Sequence, residues 1–463
     1  MRVPFATNSY QARALPLSAQ RCVNLYAEAA PPDAKSPLVL FGTPGLTTFA
    51  TCGDGPIRGV HNFNGVLCVV SGTNLYTVDS AGTVTDRGSV GATADVSMDH
   101  NLTQLLIITG TGITDAWIWN GTTLTQMADA DFPGAHNTTF IDGYHIVTKP
   151  NTDEFYISDS RDCTSWDALQ FATAEGKTDY LVACMADHRE LWLFGSETTE
   201  VWYNSGDTVP FDRISGAYLE RGCLSKGSIA KADNSMFWLG DDKIIYRADG
   251  YTPLRISTHA IEYALASAAD LTTSRAWTYT QEGHTFYVIT IDGVGTFVYD
   301  ASIGLWHERD SRDSLGRTID RWRIDTGVKC YDKILGGDYT NGIIYELDLD
   351  VYTENGIYLQ RLATSAPIHG EGQFISMSKL EIEVESGAGL TTGQGSDPQA
   401  MLRWSDDGGK TWSNELWSTM GALGDYSRRI IFNRLGRFRS RIYELTISDP
   451  IKVAIIAANA AVS

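Results

Sequence analysis

The sequence predicts an all-β protein, a β-propeller of six or seven blades with an extended N-terminal arm (residues 1–53) and a β-sandwich-like C-terminal domain (residues 351–463). Three observations carry this reading. Residues 54–350 restate one grammar of short strands and turns, the grammar is lost after residue 350, and segments with a helical period are almost absent.

The repeat reads as a short strand, a tight turn, a strongly apolar strand, a polar or Gly turn, and a strand ending in an aromatic residue. Its first copy is Gly59-Val60-His61-Asn62-Phe63, Asn64-Gly65, Val66-Leu67-Cys68-Val69-Val70 and Asn74-Leu75-Tyr76. Asn64-Gly65 supplies the positive φ angles that a two-residue hairpin needs. The closing aromatics fall at Tyr76, Trp119, Tyr156, Trp202, Tyr246, Tyr299 and Tyr345, in steps of 37 to 53 residues. That is close to the period of about 40 to 50 residues of four-stranded propeller blades. A β-helix would need a shorter, stricter period, and a string of sandwiches clearer breaks. The apolar strands are continuous rather than alternating, as expected where both sheet faces are buried by radial packing. His259–Ala269 is the one helix-like stretch and reads as an insertion between blades.

The arm is rich in Pro, Ala and polar residues, with Ala30-Pro31-Pro32-Asp33-Ala34-Lys35 as an exposed loop. Beyond residue 351, strand-like segments at residues 379–384, 400–404, 411–417, 428–433 and 440–448 alternate with Gly-rich loops and suggest a separate sandwich.

Composition narrows the function. With 43% hydrophobic and 20% charged residues the chain can build a packed core. No secretory signal pattern opens it, and its longest apolar run, residues 451–462, is too short to span a bilayer. Seven scattered cysteines without a CxxC pair argue for free thiols in a reducing compartment. A net charge of −20 argues against an outer surface that wraps nucleic acid, while a wall past which DNA must slide should be acidic.

No catalytic motif emerges, and the expectation is a protein without enzymatic activity, cofactor or metal. The nine histidines are dispersed in sequence, and the acidic run Glu346-Leu347-Asp348-Leu349-Asp350 reads as a strand with a solvated face rather than a metal cage. Ser405-Asp406-Asp407-Gly408-Gly409-Lys410-Thr411-Trp412 fits the Asp-box pattern of sialidase-type propellers, in which Ser405, Asp407, Gly409, Thr411 and Trp412 would form a structural hairpin turn. It occurs once and outside the repeat, so a carbohydrate-binding or sialidase-like propeller is the alternative reading. Six arginines between Arg428 and Arg441 break the acidic trend. If the segment is extended, Arg437, Arg439 and Arg441 share one face, and with Arg434 they form a candidate contact for an acidic subunit or for DNA.

Several stretches resemble the packaged-DNA stabilisation, or tail nozzle, proteins of short-tailed bacteriophages. They are Cys22-Val23-Asn24-Leu25-Tyr26-Ala27-Glu28, Thr43-Pro44-Gly45-Leu46, Arg58-Gly59-Val60, Val298-Tyr299-Asp300-Ala301-Ser302 with Trp306, and Leu435-Gly436-Arg437-Phe438-Arg439. The resemblance implies a structural virion protein made in the host cytoplasm, forming a homo-oligomeric ring, six subunits in this family, at the distal end of the tail. Its implied partners are the tail adaptor ring, a tail needle or plug, fibres or spikes, and double-stranded DNA passing without sequence-specific binding. It transfers no catalytic residues.

Overall fold

The computed structural model describes residues 1–91 and 95–462. Seven four-stranded antiparallel blades occupy residues 57–89, 97–126, 137–173, 181–219, 230–255, 275–309 and 324–348, the last completed by the strand Gly45–Thr51. The seven aromatics read from the sequence all lie on the third strand of their blade. Most fourth strands, such as Val84–Ser89 and Thr252–Arg255, are polar and largely exposed, which is why a hydrophobic grammar passes over them.

The continuous apolar strands are explained by the packing. In the second strand of blade two, Leu105 and Ile107 join Phe63, Cys68 and Val70 of blade one, while Leu106 and Ile108 join Val147, Tyr156 and Trp166 of blade three. Successive side chains of a strand point to opposite faces, so a strand wedged between two blades must be apolar at every position. Equivalent clusters fill the other interfaces. Closer to the axis the seams are polar. The Ser97 hydroxyl accepts from Thr138 N–H at 3.1 Å, Asp99 from Phe140 N–H at 2.7 Å, and Asn137 from Cys184 N–H at 2.7 Å.

The ring closes through the N-terminal segment. Gly45–Thr51 pairs antiparallel with Ile343–Asp348, and Ala50 and Cys52 bring blade seven against Ile57, Leu67 and Val69 of blade one. On its other side Leu46 pairs in parallel with Glu354. A Cβ on Gly45 would stand 2.3 Å from the Val351 carbonyl oxygen and 2.5 Å from that of Thr353, so no side chain fits there. The helix His259–Ala266, capped by the Thr258 hydroxyl, lies between blades five and six and buries Ile261 and Leu265.

Residues 1–53, read from the sequence as an extended arm, are held along most of their length. Leu25–Ala29 and Leu38–Gly42 form two strands of the five-stranded first sandwich sheet, with Ala454–Val462, Ile375–Val384 and Ile430–Phe438. Ala454–Val462 was visible in the sequence only as an apolar run. Cys22–Val23 lies between the outer strand of blade six, Leu305–Arg309, and Arg361–Thr364 of the second sheet, which continues through Ser440–Ile447, Gln399–Ser405 and Leu416–Thr419. Propeller and sandwich therefore share one hydrogen-bonded sheet. The segment 411–417 is not a strand as expected: the Asp-box turn occupies its beginning and pairing starts at Leu416.

Gly45→Ala is expected to lower the thermal unfolding midpoint by the equivalent of about 1–3 kcal/mol, the usual cost of overpacking. Thr47→Ala, exposed on the same strand, should leave it nearly unchanged; scanning calorimetry of both variants is the check.

Candidate functional site

Two of the sequence's candidate motifs turn out to be one structure. Ser405, at the end of Gln399–Ser405, donates its hydroxyl to Asp407 Oδ1 at 2.7 Å and accepts the Gly409 N–H at 2.7 Å. Asp407 accepts the N–H groups of Lys410 and Thr411 at 2.9 Å each, and the Thr411 hydroxyl at 2.6 Å. Gly408 and Gly409 have φ of 79° and 95°, and a Cβ on Gly408 would meet Pro16 at 2.8 Å, so the turn seats directly on the N-terminal segment. Trp412 is half-buried, with the Arg403 guanidinium 4.9 Å from its ring centre. Asp406, between the two capping residues, is held bidentately by Arg441 at 2.6 and 2.7 Å.

That pairing corrects the reading of the arginine cluster. Arg434 has φ of 60° and sits in a bulge, since Met377 and Lys379 pair with Gly436 and Asn433. The bulge shifts the alternation, and the chain then crosses from one sheet to the other at Arg439. Arg441 is consequently only 3% exposed, packed over Phe438 and Trp404 and donating to the Leu435 carbonyl. Arg434, Arg437 and Arg439 remain exposed, the latter two with their guanidinium carbons 4.3 and 4.6 Å from the ring centre of Phe374. Arg441 is thus a structural residue, and the surface available for a partner is Arg434, Arg437, Arg439 and Phe374.

The propeller axis is the second site, and the sequence reading missed it because its residues come one or two from each blade. The first strands enclose a cavity of about 450 Å³ lined by Arg58, His61, Asp95, Lys226, Lys231, Arg275 and Asp325 among others. Its charges are cross-linked: Arg275 bridges Asp95 and Asp325, Asp325 also pairs with Arg321, and Arg321 reaches Asp292 at 2.6 Å. Burial holds the Lys226 ammonium below its ordinary range, and it donates to the His136 carbonyl at 3.0 Å. Ion pairs that span the opening leave no passage for a double helix, whose major groove alone is about 12 Å wide.

Three of the nine dispersed histidines come together across blades one to three. His61 Nε2 lies 2.7 Å from His100 Nδ1 across the seam of blades one and two, with Asp99 beside them. Fully buried His145 stands on Phe140, and burial lowers it to about 4. The acidic strand residue Glu346 is paired with Lys333 at 2.6 Å. All seven cysteines are buried and free, and burial pushes each thiol above its usual value, which keeps it protonated and unreactive at neutral pH.

Three of the five stretches that carried the family resemblance, Cys22–Glu28, Thr43–Leu46 and Val298–Ser302 with Trp306, gather at the joint of arm, propeller and sandwich. Asn24, at φ 54°, donates to the carbonyls of Asp310 and Gln360 at 2.9 and 2.8 Å. The Pro44 carbonyl accepts from buried Arg309 at 3.1 Å. Asp300 accepts from His284 at 2.5 Å, and Trp306 donates to the Ile256 carbonyl at 2.8 Å.

Comparison with known families agrees with this two-part build. The profile described as "Bacteriophage P22 Gp10, beta-propeller" matches residues 1–352, and "Bacteriophage P22 Gp10, beta-sandwich" matches residues 360–463. The chain belongs to the P22 Gp10 family. That family is the DNA-stabilisation, tail-nozzle-type family of short-tailed phages, and membership gives this chain a phage structural role. No curated relative matches it. Among solved structures, virginiamycin B lyase from Staphylococcus aureus is 10% identical, with a TM-score of 0.45 over 64% of this chain and 95% of its own. BamB from Moraxella catarrhalis is 10% identical, with a TM-score of 0.39 over 75% and 97%. Neither bears on what this member of the P22 Gp10 family does.

Arg441→Ala should destabilise the sandwich by about 2–3 kcal/mol, the upper range for loss of a buried hydrogen-bonded group. Arg437→Ala and Arg439→Ala, which give up exposed cation–π contacts, should each cost no more than about 1 kcal/mol; denaturant titration separates the two classes. A pH prediction follows from Asp407, which the Thr411 hydroxyl and N–H and the Ser405 hydroxyl hold well below the usual carboxylate range. A depressed carboxylate stabilises the fold above its unfolded value of about 3.9 and loses that contribution as the pH falls through the folded value. The difference in unfolding midpoint between the native protein and Asp407→Asn should accordingly be constant above pH 5 or so and shrink on acidification.

Proposed function

We propose that this protein is the tail nozzle subunit of a short-tailed phage: a homo-oligomeric ring, six-membered, that completes the distal tail after packaging. The ring closes the channel, stabilises packaged DNA and provides its exit path. The observation that carries this reading is the match of both halves of the chain, in order and nearly end to end, to the two P22 Gp10 profiles. The subunit acts as wall material without catalysis. Its partners are the tail adaptor ring, a needle or plug, and fibres or spikes, and its place is the virion tail, after synthesis in the host cytoplasm.

Two physical features support the reading. The propeller axis is too narrow and too heavily cross-linked to carry DNA, so a DNA path has to run along outer surfaces, and several subunits around a common axis make one. A net charge of −20 gives those surfaces a sign that DNA slides past rather than adheres to. Exposed Arg434, Arg437 and Arg439 then suit a protein neighbour with carboxylates.

Electron micrographs of the purified protein, alone and added to tails lacking it, test the proposal. Closed six-fold rings capping the tail tip, and heads that keep their DNA only when the protein is present, are expected. A monomer that does not join tails, or tails that retain DNA equally without it, would overturn it. Replacing Arg434, Arg437 and Arg439 together with Glu should reduce ring formation at least tenfold with the folded monomer intact by circular dichroism.

A further inference from the structure

Among the described residues, one group of His, Cys, Asp and Glu side chains brings three donor atoms within reach of a single ion. His61, Asp99 and His100 place one ligand atom each so that all lie within 4.8 Å of one another. They come from neighbouring blades: His61 from Ile57–Phe63, the axial strand of blade one, and Asp99 and His100 from Ser97–His100, the axial strand of blade two. All three are half-buried, and His61 lines the axial cavity, which gives a small ion an approach to them.

Contacts from neighbouring strands hold the three side chains in place. Asp99 Oδ2 accepts the Phe140 N–H at 2.7 Å and the Thr139 hydroxyl at 3.3 Å, contacts from blade three that fix the carboxylate. The His100 ring is held edge-on to Phe63 at 5.5 Å and to His61 at 4.8 Å. Outer partners that orient ligands in this way are the usual support of metal sites. The spacing also fits. Metal–nitrogen bonds of about 2.0–2.1 Å at tetrahedral angles separate donor atoms by about 3.3 Å. The two imidazole nitrogens stand 2.7 Å apart and His100 Nδ1 stands 4.0 Å from Asp99 Oδ1, one pair slightly too close and one slightly too far. An ion binding here would displace the hydrogen bond between the two imidazoles and draw in the carboxylate, whose Oδ1 accepts the His100 backbone N–H at 2.8 Å.

We propose that His61, His100 and Asp99 form a three-ligand site for a divalent transition ion of the zinc class, clipping the axial strands of blades one and two together. Two imidazoles and one carboxylate suit zinc, cobalt or nickel, whereas magnesium and calcium prefer oxygen alone. The fourth position takes water. The ion replaces a single hydrogen bond between two imidazoles with three bonds across a blade seam next to the ring closure. It binds the folded ring and not the open chain, so it raises stability with its own concentration.

The test uses the full-length, tag-free protein cleared of metal with a chelator and titrated with Co²⁺. The expected result is a visible d–d absorption band of a four- or five-coordinate ion, saturating at one Co²⁺ per chain, displaced by Zn²⁺, and accompanied by a rise in unfolding midpoint. His61→Ala should abolish the band. His100→Gln, which keeps a hydrogen-bonding side chain at the seam and is checked for native circular dichroism, should weaken Co²⁺ binding at least tenfold. Absence of the band at millimolar Co²⁺, or an unaltered band in folded His100→Gln, would overturn the site.

Discussion

The pairing of Gly45–Thr51 with Ile343–Asp348 is the constraint on which the remaining structure depends. Without it blade seven lacks its outer strand and blades seven and one lose Ala50 and Cys52 from their common core. Closing a loop of nearly the whole repeat costs, by the logarithmic length dependence, on the order of 4 kcal/mol more than closing a short hairpin. Burial of Leu46, fully enclosed between blades six and seven, contributes about 1.5–3 kcal/mol. The backbone ladder and the apolar contacts to blade one add to that burial. Gly45 stands where a side chain would collide with the carbonyls of Val351 and Thr353.

The same strand explains why the ends of the chain cannot be separated from the ring. Before reaching Gly45, the chain has supplied two strands to one sandwich sheet and the link Cys22–Val23 between blade six and the other. After blade seven, Glu354 accepts from Trp322 at 3.1 Å and Arg323 at 3.2 Å while its backbone flanks Leu46. Arg309 stacks 3.9 Å from the ring centre of Trp322 and donates to the Pro44 carbonyl. Buried arginines and carboxylates of this kind fix one arrangement of the joint, because each displaced partner would leave a desolvated charge. Load on the sandwich is thereby transmitted to the propeller through a continuous sheet.

What was legible in the sequence follows from where burial is two-sided. The second and third strands of each blade are enclosed by neighbours, so Leu105-Leu106-Ile107-Ile108 and the seven closing aromatics stand out and count the blades. Outer strands face water on one side and carry no such signal, and the closing strand is distant in sequence from its partners. The Asp box was legible because its chemistry is local: Ser405, Asp407 and Thr411 satisfy one another within seven residues. The arginine cluster misled because period-2 alternation assumes an unbroken strand, and the bulge at Arg434 with the crossover at Arg439 breaks it twice. His61 and His100 looked dispersed because only ring closure packs the first strands of successive blades around one axis.

Closure also decides how such a protein can relate to DNA. A ring of β-blades invites the view that its hole is a channel, yet a seven-bladed axis is lined by first strands whose side chains reach one another: Arg275 touches carboxylates from blades two and seven at once. Charges cross-linked across the axis tie its first strands together. Among the described residues the blade cores outside the axis are packed between neighbours. DNA that meets this protein meets its outer surface, and the property that matters there is the excess of carboxylates over basic groups. Repulsion acts within a Debye length of about 8 Å at physiological salt, so it serves only if several such surfaces enclose the double helix closely. Under the proposed nozzle role, the acidity of the chain and the blocked axis of its propeller impose one requirement, a DNA path between subunits around a common axis.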